Sequence, residues 1–309
     1  MNGVIIVYKE KGRTSFSAAS QLGRITGEKK TGHTGTLDPD ATGVLPVCLG
    51  KATKLMSYLP DNDKEYRAQL LFGKETDTLD ISGSLIRQMP ADECLRLLES
   101  KEKILKAICS FKGEIEQIPP MYSAVKVSGV KLVDAARRGQ EIERKPRKVT
   151  IYDISDIEIS PDLLSAYFTV SCSKGTYIRS LCSDIGAALG VPACMGSLER
   201  TRACGFGLED CSTLSQIEKA KNEGWLSKIL IPADELLKAY RPLTVTDGAV
   251  KRLVFGNFMY MDDLVPGQDL KKPGIYRIYD AGGRFYGLYR YNEGEKFYRC
   301  EKMFVDQKY

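Results

Sequence analysis

Residues 32–39 read Gly-His-Thr-Gly-Thr-Leu-Asp-Pro, the most constrained stretch of the chain. Together with Gly43, Pro46 and Gly50, this density of glycine and proline predicts a long, shaped loop over residues 31–50 rather than a regular element. Asp38 stands between a leucine and a proline, where an aspartate commonly bonds its own backbone and completes a turn. Taken alone the stretch favours a turn, although a loop this constrained is also able to hold a carboxylate in one pose.

Two other chemistries of glycine-rich loops fit this stretch poorly. A phosphate-binding Walker A loop requires Gly-Lys-Ser or Gly-Lys-Thr after its glycines, and neither follows here. Asp38 and Asp40 offer two carboxylates to a divalent metal ion, but a proline separates them and no further carboxylates are close in sequence. We therefore expect no metal at this position.

The composition is that of a globular protein with ample core material. The chain has 309 residues, of which 43% are hydrophobic and 28% charged, and its net charge is +5. The nine cysteines form no Cys-x-x-Cys pair and His33 is the single histidine, which disfavours a disulfide framework or a zinc site. The N-terminus lacks the pattern of a signal peptide and no segment approaches the roughly 18 apolar residues of a membrane span, so we expect a cytoplasmic protein.

Hydrophobic periodicity predicts a mixed α/β arrangement. Strands are predicted at residues 4–8, 66–72 and 166–172, and helices at 15–25, 91–109 and 178–189. Thr14 or Ser15 supplies the hydroxyl that caps the first helix. In the last helix the spacing buries Ile178 and directs Tyr177 and Arg179 away from the core, at a strand-turn-helix junction of the kind that presents functional side chains.

Two further segments differ from the rest in composition. Beyond about residue 240 the chain becomes rich in tyrosine and phenylalanine with frequent Pro-Gly and Gly-Gly turns, which predicts a small all-β domain. Residues 126–148 carry eight basic and three acidic side chains, an excess equal to that of the whole protein. A basic segment of this kind suits contacts with phosphates, and a solvated surface without a partner is the alternative.

Five blocks of this sequence resemble, in order and spacing, those of the bacterial tRNA pseudouridine-55 synthases, the TruB family. Beside the loop with Asp38 they are Lys64-Glu65-Tyr66-Arg67, Thr76-Asp77-Thr78-Leu79-Asp80, Gln117-Ile118-Pro119-Pro120-Met121-Tyr122-Ser123-Ala124-Val125-Lys126 and Cys172-Ser173-Lys174-Gly175-Thr176-Tyr177-Ile178-Arg179. The similarity covers about residues 3–205. One departure is Glu10, which replaces a proline of the family's N-terminal block and affects the local rigidity of the turn.

The resemblance implies a pseudouridine synthase fold over residues 1–240, with a central, largely antiparallel sheet flanked by helices. It implies a small PUA-like RNA-binding β domain over residues 241–309, and a tRNA-gripping insertion at 126–148. The implied reaction isomerises a uridine of the tRNA T-loop to pseudouridine after the base has been flipped out of its stack. Because this reaction is redox neutral and loses no atoms, no cofactor is expected; the implied partner is the tRNA T-stem-loop, and the chain is expected to be a monomer.

The resemblance also implies roles for individual residues. Asp38 is the catalytic carboxylate, and whether it attacks the sugar, attacks the base or removes a proton stays open. Arg179 pairs with Asp38 and keeps it ionised, Tyr66 stacks on the base, and Tyr177 lines the pocket and is a candidate base for the C5 proton. The implied substrate contacts are Leu198 as an apolar wall, Asp80 near the pocket, His33 and Lys9 at the tRNA-facing rim, and Lys126, Arg144, Lys145, Arg147 and Lys148 in the basic segment.

Two other functions remain open at this point. A tRNA-binding folding factor would use the same pocket to open and re-form the tRNA elbow. A metal-dependent phosphotransferase would use Asp38 and Asp40.

Overall fold

The computed structural model describes residues 1–58, 63–160, 162, 164–268 and 273–305. The strands of its first unit are β1 (Gly3–Lys9), β2 (Thr31–His33), β3 (Thr42–Leu49), β4 (Lys64–Phe72), β5 (Lys74–Thr76), β6 (Leu85–Gln88), β7 (Gly113–Gln117), β8 (Lys126–Val127), β9 (Val130–Lys131), β10 (Arg147–Ile159), β11 (Ser165–Cys172), β12 (Ala193–Ala203) and β13 (Phe206–Gly207). Its α-helices are α1 (Ser15–Thr26), α2 (Ala91–Leu98), α3 (Lys101–Cys109), α4 (Leu132–Ala136), α5 (Ile178–Leu189) and α6 (Leu214–Asn222).

One large sheet organises this unit. Its strands follow the order β1-β3-β12-β4-β11-β10-β7, with β2 beside β3 and β13 beside β12. The pairing of β3 with β12 is parallel, and the other pairings of this sheet are antiparallel. This order confirms the predicted mixed α/β fold with a largely antiparallel sheet. It also places Thr42, where the Asp38 loop ends, opposite Glu199 of β12, and Tyr66 of β4 opposite Arg200 of β12.

The prediction of one long loop over residues 31–50 was wrong. Residues 31–33 form β2 and residues 42–49 form β3, so that the loop itself is confined to 34–41. The run from Val44 to Leu49 is fully buried between neighbouring strands, and this burial outweighs the unfavourable strand propensity of Pro46. Glycine is required at position 43 by close strand packing rather than by a loop turn. Its φ is +102°, and its Cα lies against the backbone of Arg200, which leaves no room for a Cβ.

The single helix predicted over residues 91–109 was also wrong, since two helices cover this range. Helix α2 ends at Glu99, which adopts a φ of 59°, and the Ser100 side chain then accepts a hydrogen bond from Lys103 N to cap α3. The other predicted helices are confirmed. Thr14 caps α1 through Ser17 N, and Gly27 and Gly190 end α1 and α5 in the left-handed conformation.

Strands β1 and β3 of the large sheet are buried on both faces, whereas side chains of β4, β10 and β11 alternate between buried and more exposed positions. Helices α2, α3 and α5 pack on one face of β4, β11 and β12, and α1 and α6 pack on β1 and β3. Within β1 the side chains alternate, because Ile5 and Val7 contact α1 and α6 while Val4 and Ile6 belong to a separate cluster on the opposite face. A strand that is buried on both faces reads as a continuous apolar run, as residues 4–7 do.

The C-terminal residues form a second, smaller sheet. Its elements are β14 (Arg241–Thr244), α7 (Val250–Val254), β15 (Met259–Tyr260), β16 (Gly274–Tyr279), β17 (Phe285–Asn292) and β18 (Phe297–Met303). The strand order is β14-β16-β17-β18-β15. A small C-terminal β domain is thereby confirmed, with the short helix α7 as an addition to the predicted all-β content. Leu288 and Phe304 of this unit share an apolar cluster with Val4 and Ile6 of β1.

We predict that Gly43→Ala lowers the free energy of unfolding by more than about 4 kcal/mol, since the new Cβ would lie 2.2 Å from the Arg200 carbonyl oxygen at a positive φ. Gly27→Ala is the matched control, because Gly27 also has a positive φ but nothing within 4 Å of an added Cβ. Its cost is limited to the conformational strain, about 1–2 kcal/mol. Urea unfolding of both variants measures the difference, and equal losses would contradict the proposed clash.

Candidate active site

The loop over residues 34–41 is fixed on both sides of Asp38. On the N-terminal side, Leu37 is buried and its backbone N–H donates to the Ser15 hydroxyl oxygen at 2.8 Å, while that hydroxyl donates back to the Leu37 carbonyl at 3.2 Å. Ser15 is itself buried in the first turn of α1. The start of α1 therefore anchors the residue directly before the carboxylate.

On the C-terminal side, the carbonyl of Pro39 accepts two hydrogen bonds. One comes from Gly12 N at 2.9 Å and the other from Lys9 Nζ at 2.9 Å. Lys9 is fully buried, and burial lowers its pKa to about 8, although Asp40 and Asp38 oppose this shift. Lys9 is therefore buried rather than exposed at a rim, and its ammonium group holds the loop that carries Asp38. A contact of Lys9 with tRNA stays a prediction.

Arg179 connects the Asp38 loop to two other segments. Its Nε lies 3.0 Å from Asp38 Oδ2 and its Nη2 donates to Asp38 Oδ1 at 3.3 Å. Its Nη1 donates to the Thr78 carbonyl and its Nη2 to the Tyr122 carbonyl, both at 2.9 Å. Arg179 is directed away from the α5 core as predicted, yet only 5% of its side chain is exposed because these segments enclose it.

Asp80 is the second carboxylate beside Arg179. Its Oδ2 lies 3.6 Å from Arg179 Nη1, and its Oδ1 accepts hydrogen bonds from the Thr78 hydroxyl at 2.9 Å and from Ser82 N at 3.0 Å. Asp80 does not line the cleft of about 420 Å³ that opens beside Asp38. It lines a cavity of about 70 Å³ next to it, together with Asp38 and Leu198.

The electrostatic state of Asp38 results from opposing effects. Burial raises the pKa of the Asp38 carboxyl above its usual value, Arg179 is the largest effect that lowers it, and Asp80 raises it further. The expectation that Arg179 keeps the carboxyl ionised therefore needs refinement, since Arg179 limits a rise rather than producing a net fall. The side chain remains 38% exposed to the cleft, so a substrate can reach it.

A cleft of about 420 Å³ opens beside Asp38. It is lined by Asp38, Lys64, Tyr66, Tyr122, Tyr177, Arg179 and Leu198 among others. Of these, Tyr66 and Leu198 are almost completely buried, and burial raises the pKa of the Tyr66 hydroxyl to about 12. The structure thus brings together all four predicted catalytic residues and the predicted apolar wall.

Tyr177 is held in place by a side chain that the sequence did not single out. Buried Gln117 of β7 accepts a hydrogen bond from Tyr177 N at 3.0 Å and donates one to the Tyr177 carbonyl at 3.2 Å. Both hydrogen bonds involve the backbone, so they fix Tyr177 at the start of α5 and leave its ring free to line the cleft. Gln117 and Tyr122 both stand in the block that resembles the TruB family, which was the available signal for them.

His33 lies apart from the cleft lining. It is on β2, half-buried, and its Nδ1 is buried without a hydrogen-bond partner among the described residues. Burial lowers the pKa of its imidazole, and the positive charge of Arg200 lowers it further. A rim contact of His33 with RNA stays a prediction.

The basic segment forms a hairpin, β8–β9, followed by α4 and an irregular stretch up to β10. Val133 of this segment lines the wall of the cleft, as do the preceding residues Tyr122, Ser123 and Ala124. Arg147 and Lys148 already belong to β10, and Lys148 Nζ contacts Glu114 at 2.8 Å. Lys126, Arg144, Lys145 and Arg147 line a second cavity of about 510 Å³.

Family models cover most of the chain. The model described as "TruB family pseudouridylate synthase (N terminal domain)" matches residues 23–178, and "tRNA pseudouridylate synthase B C-terminal domain" matches residues 179–238. The chain belongs to the TruB family of pseudouridylate synthases. Pseudouridine synthases are isomerases, so the predicted enzyme class is confirmed. Both matches end before β14. The second match, residues 179–238, includes nearly all of helix α5 and the whole of β12, a strand of the large sheet.

Curated TruB relatives align with almost the whole chain. The protein named tRNA pseudouridine synthase B from Clostridium perfringens strain SM101 is 42% identical over 99% of this chain and 100% of its own length. The protein of the same name from Lachnoclostridium phytofermentans is 44% identical, also over 99% of this chain and 100% of its own length.

Solved structures in complexes with other components share the fold. The structure titled "Crystal Structure of a Cbf5-Nop10-Gar1 Complex" matches with a TM-score of 0.69 and 28% identity, over 99% of this chain and 85% of that one. "Structure of H/ACA RNP bound to a substrate RNA containing 2'-deoxyuridine" matches with a TM-score of 0.68 and 25% identity, over 99% of this chain and 86% of that one.

In the described part of the chain, no helix has the length and apolar character needed to cross a bilayer.

We predict that Arg179→Gln moves the acid limb of the pH–rate profile for pseudouridine formation to higher pH. Arg179 opposes the rise in the Asp38 pKa, so its removal lets that pKa rise further and the ionised form is lost at a higher pH. Arg179→Lys keeps the charge but cannot serve Asp38, Thr78 and Tyr122 together, so we expect a lower maximal rate with a smaller shift. Identical acid limbs for the wild type and both variants would contradict this account.

Proposed function

We propose that this TruB-family enzyme converts the T-loop uridine of tRNA, uridine-55, to pseudouridine, with Asp38 as the catalytic carboxylate. The observation that carries the proposal is an accessible carboxylate, paired to a buried arginine, in a cleft that three tyrosines and a leucine line. The names of the relatives support tRNA as the substrate. The partner is thus the T-stem-loop of tRNA, and we propose that the enzyme acts as a cytoplasmic monomer.

The chemistry places few demands on the protein beyond this carboxylate. The bond from the ribose to base N1 breaks, the uracil turns, and a new bond forms from the same ribose carbon to C5, which then loses its proton while N1 takes one up. We propose that Asp38 attacks the ribose carbon, attacks the base or removes a proton, and its Arg179 partner limits its tendency to take up a proton. All atoms of the uridine are retained, so the residues of the cleft are sufficient without a redox group.

Base flipping follows from the depth of the site. Because Asp38 lies inside a cleft, a stacked base would not reach it, and eversion costs a few kcal/mol of stacking energy. Tyr66 and Leu198 supply aromatic and apolar surfaces in the cleft that compensate part of that loss. Tyr66 stays protonated at neutral pH because burial raises its pKa to about 12, so it serves as a stacking partner rather than a base.

Tyr177 is the candidate for removing the C5 proton. Tyr177 lines the cleft at the N-terminus of α5. The two hydrogen bonds between the Gln117 side chain and the Tyr177 backbone fix the position from which its side chain extends. We propose that the Tyr177 hydroxyl relays the C5 proton after the base has turned, accepting it at the oxygen while its own proton passes to water.

We propose a division of the chain at about residue 240. Residues 1–240 hold the catalytic cleft, with the basic segment 126–148 gripping the RNA beside it, and residues 241–309 form a PUA-like RNA-binding unit. The cations Lys126, Lys145 and Arg147 support the gripping role, because all three are exposed and line one cavity beside the cleft wall.

The decisive experiment is to map pseudouridine in a T-stem-loop transcript incubated with the protein alone. Asp38→Asn is expected to reduce the rate by at least about 100-fold while RNA binding persists, since the variant removes a charge and keeps the shape. Pseudouridine formation by Asp38→Asn at the wild-type rate would contradict the site assignment.

The same assay separates the two other functions. A folding factor would accelerate tRNA folding without needing any pseudouridine formation, so a wild type that folds tRNA but makes no pseudouridine would favour it. A metal-dependent phosphotransferase requires a divalent ion, so full activity in excess EDTA with a pre-folded transcript would eliminate it.

We predict that replacing Lys126, Lys145 and Arg147 with alanine makes the slope of log RNA affinity against log salt concentration shallower by about two to three. Each phosphate contact contributes about 0.9 to this slope. Lys112→Ala is the matched control, since Lys112 is exposed but bonded to Asp153. An unchanged slope in the triple variant would make the basic segment a solvated surface without a partner.

A further inference from the structure

Lys64, which lines the cleft, and Arg200, which is fully buried behind it, have no role in the reaction as proposed. Lys64 begins β4 and Arg200 lies on β12, and both face the loop residue Gly35. A Cβ placed on Gly35 would lie 3.3 Å from Arg200 Nη1 and 3.3 Å from Lys64 Cε. The two basic side chains therefore meet beneath one residue of the catalytic loop, which is glycine at the point where they approach.

Arg200 is fully buried without a carboxylate partner among the described residues. Its Nε donates to the Val44 carbonyl at 2.7 Å and its Nη2 to the Gly35 carbonyl at 3.3 Å. Its Nη1 is buried with no hydrogen-bond partner. Two neutral carbonyls orient this charge but do not neutralise it, and a buried uncompensated charge is costly for a folded protein.

Lys64 carries a second positive charge next to this one. It is half-buried and lines the cleft with Asp38 and Tyr66. Burial lowers the pKa of its ammonium group, and the neighbouring Arg200 lowers it further. Within the described parts of the chain no ion pair joins Lys64 to a carboxylate, and both Asp38 and Asp80 pair with Arg179 instead.

We propose that Lys64 binds a backbone phosphate of the RNA strand whose uridine enters the cleft, with Arg200 as the positioning charge behind it. This inference rests on the proposed function and names a subsite of the same cleft. The uracil base is neutral, so its carbonyl oxygens would leave the excess charge uncompensated. The phosphodiesters on either side of an everted nucleotide are the anions that the substrate necessarily brings to this cleft.

A double-mutant cycle between protein and RNA tests the contact. One arm replaces Lys64 with methionine, which keeps the length and apolar stem of the side chain. The other arm replaces the phosphate on the 5′ or the 3′ side of the target uridine, one at a time, with a neutral methylphosphonate. Dissociation constants are measured in the Asp38→Asn background so that no product forms.

We expect Lys64→Met and one of the two methylphosphonates each to weaken binding by about tenfold, as for the loss of one charged hydrogen bond. In combination they should weaken it little further, because they remove the same contact. Independent, multiplicative losses at both positions would overturn the proposal. So would a Lys64→Met variant that binds like Lys101→Met, the control at an exposed lysine outside the cleft.

Inorganic phosphate distinguishes RNA from a free anion as the occupant. Competition by inorganic phosphate that Lys64→Met abolishes, without coupling to either methylphosphonate, would assign the site to a free anion and overturn the RNA contact. Pseudouridine formation by the otherwise wild-type enzyme is measured in parallel. Its absence would refute the proposed function, whereas normal formation with an additive cycle would refute the phosphate contact alone.

The positioning role of Arg200 has its own readout. Removing its charge in Arg200→Met lets the Lys64 pKa rise, so the loss of RNA affinity at alkaline pH should move to higher pH. The other titratable groups that face Lys64 are Cys172, Cys204 and Asp63, which are unchanged in the variant. A purely structural Arg200 would lower affinity equally at every pH, and Arg200→Gln repeats the measurement should the methionine variant fail to fold.

Discussion

The ion pair between Asp38 and Arg179 is the interaction on which the whole site depends. The same guanidinium also donates to the carbonyls of Thr78 and Tyr122, so one side chain ties together three segments that lie 141, 101 and 57 residues away in sequence. A planar group with five fixed donors is able to do this, whereas a lysine would satisfy the charge but not the geometry. The residue that adjusts the Asp38 pKa therefore also sets the shape of the cleft. It also bonds the carbonyl of Tyr122, which lies a few residues before the basic segment.

Charge is distributed unevenly around this pair, and the imbalance has a physical meaning. Asp38 and Asp80 both have an ion-pair partner within the protein, the buried Arg179. Lys64 and Arg200 have no carboxylate partner among the described residues, and the hydrogen bonds that Arg200 donates go to two neutral backbone carbonyls. A folded chain tolerates such a cost where the missing partner arrives with the ligand. The free protein is thus electrostatically incomplete on the side of the cleft that an RNA strand would reach.

The sequence predicted those parts of the structure that depend on local pattern. The alternation in residues 66–72 and the helical spacing in 178–189 correspond to β4 and α5, because periodic burial dominates in both. Strand β3 was missed since its glycine and proline suggest a loop, and only the surrounding strands reveal that the run is buried. Family resemblance identified the residues that line the cleft, but it did not indicate that Lys9 is buried and holds the loop that carries Asp38.

Residues whose importance comes from distant contacts could not be found by pattern. Arg200 reads as one charge among several at the end of a strand, and its burial follows only from the close parallel approach of β3 and β12 at Gly43. The domain division shows the same effect. The composition changes near residue 240, but the apolar core is continuous across this point. Val4 and Ile6 of β1 belong to the same apolar cluster as Leu288 and Phe304. A boundary between sheets is therefore not a boundary in packing. Strand β1 holds the loop that carries Asp38 through its last residue, Lys9, and packs one of its faces against the C-terminal unit.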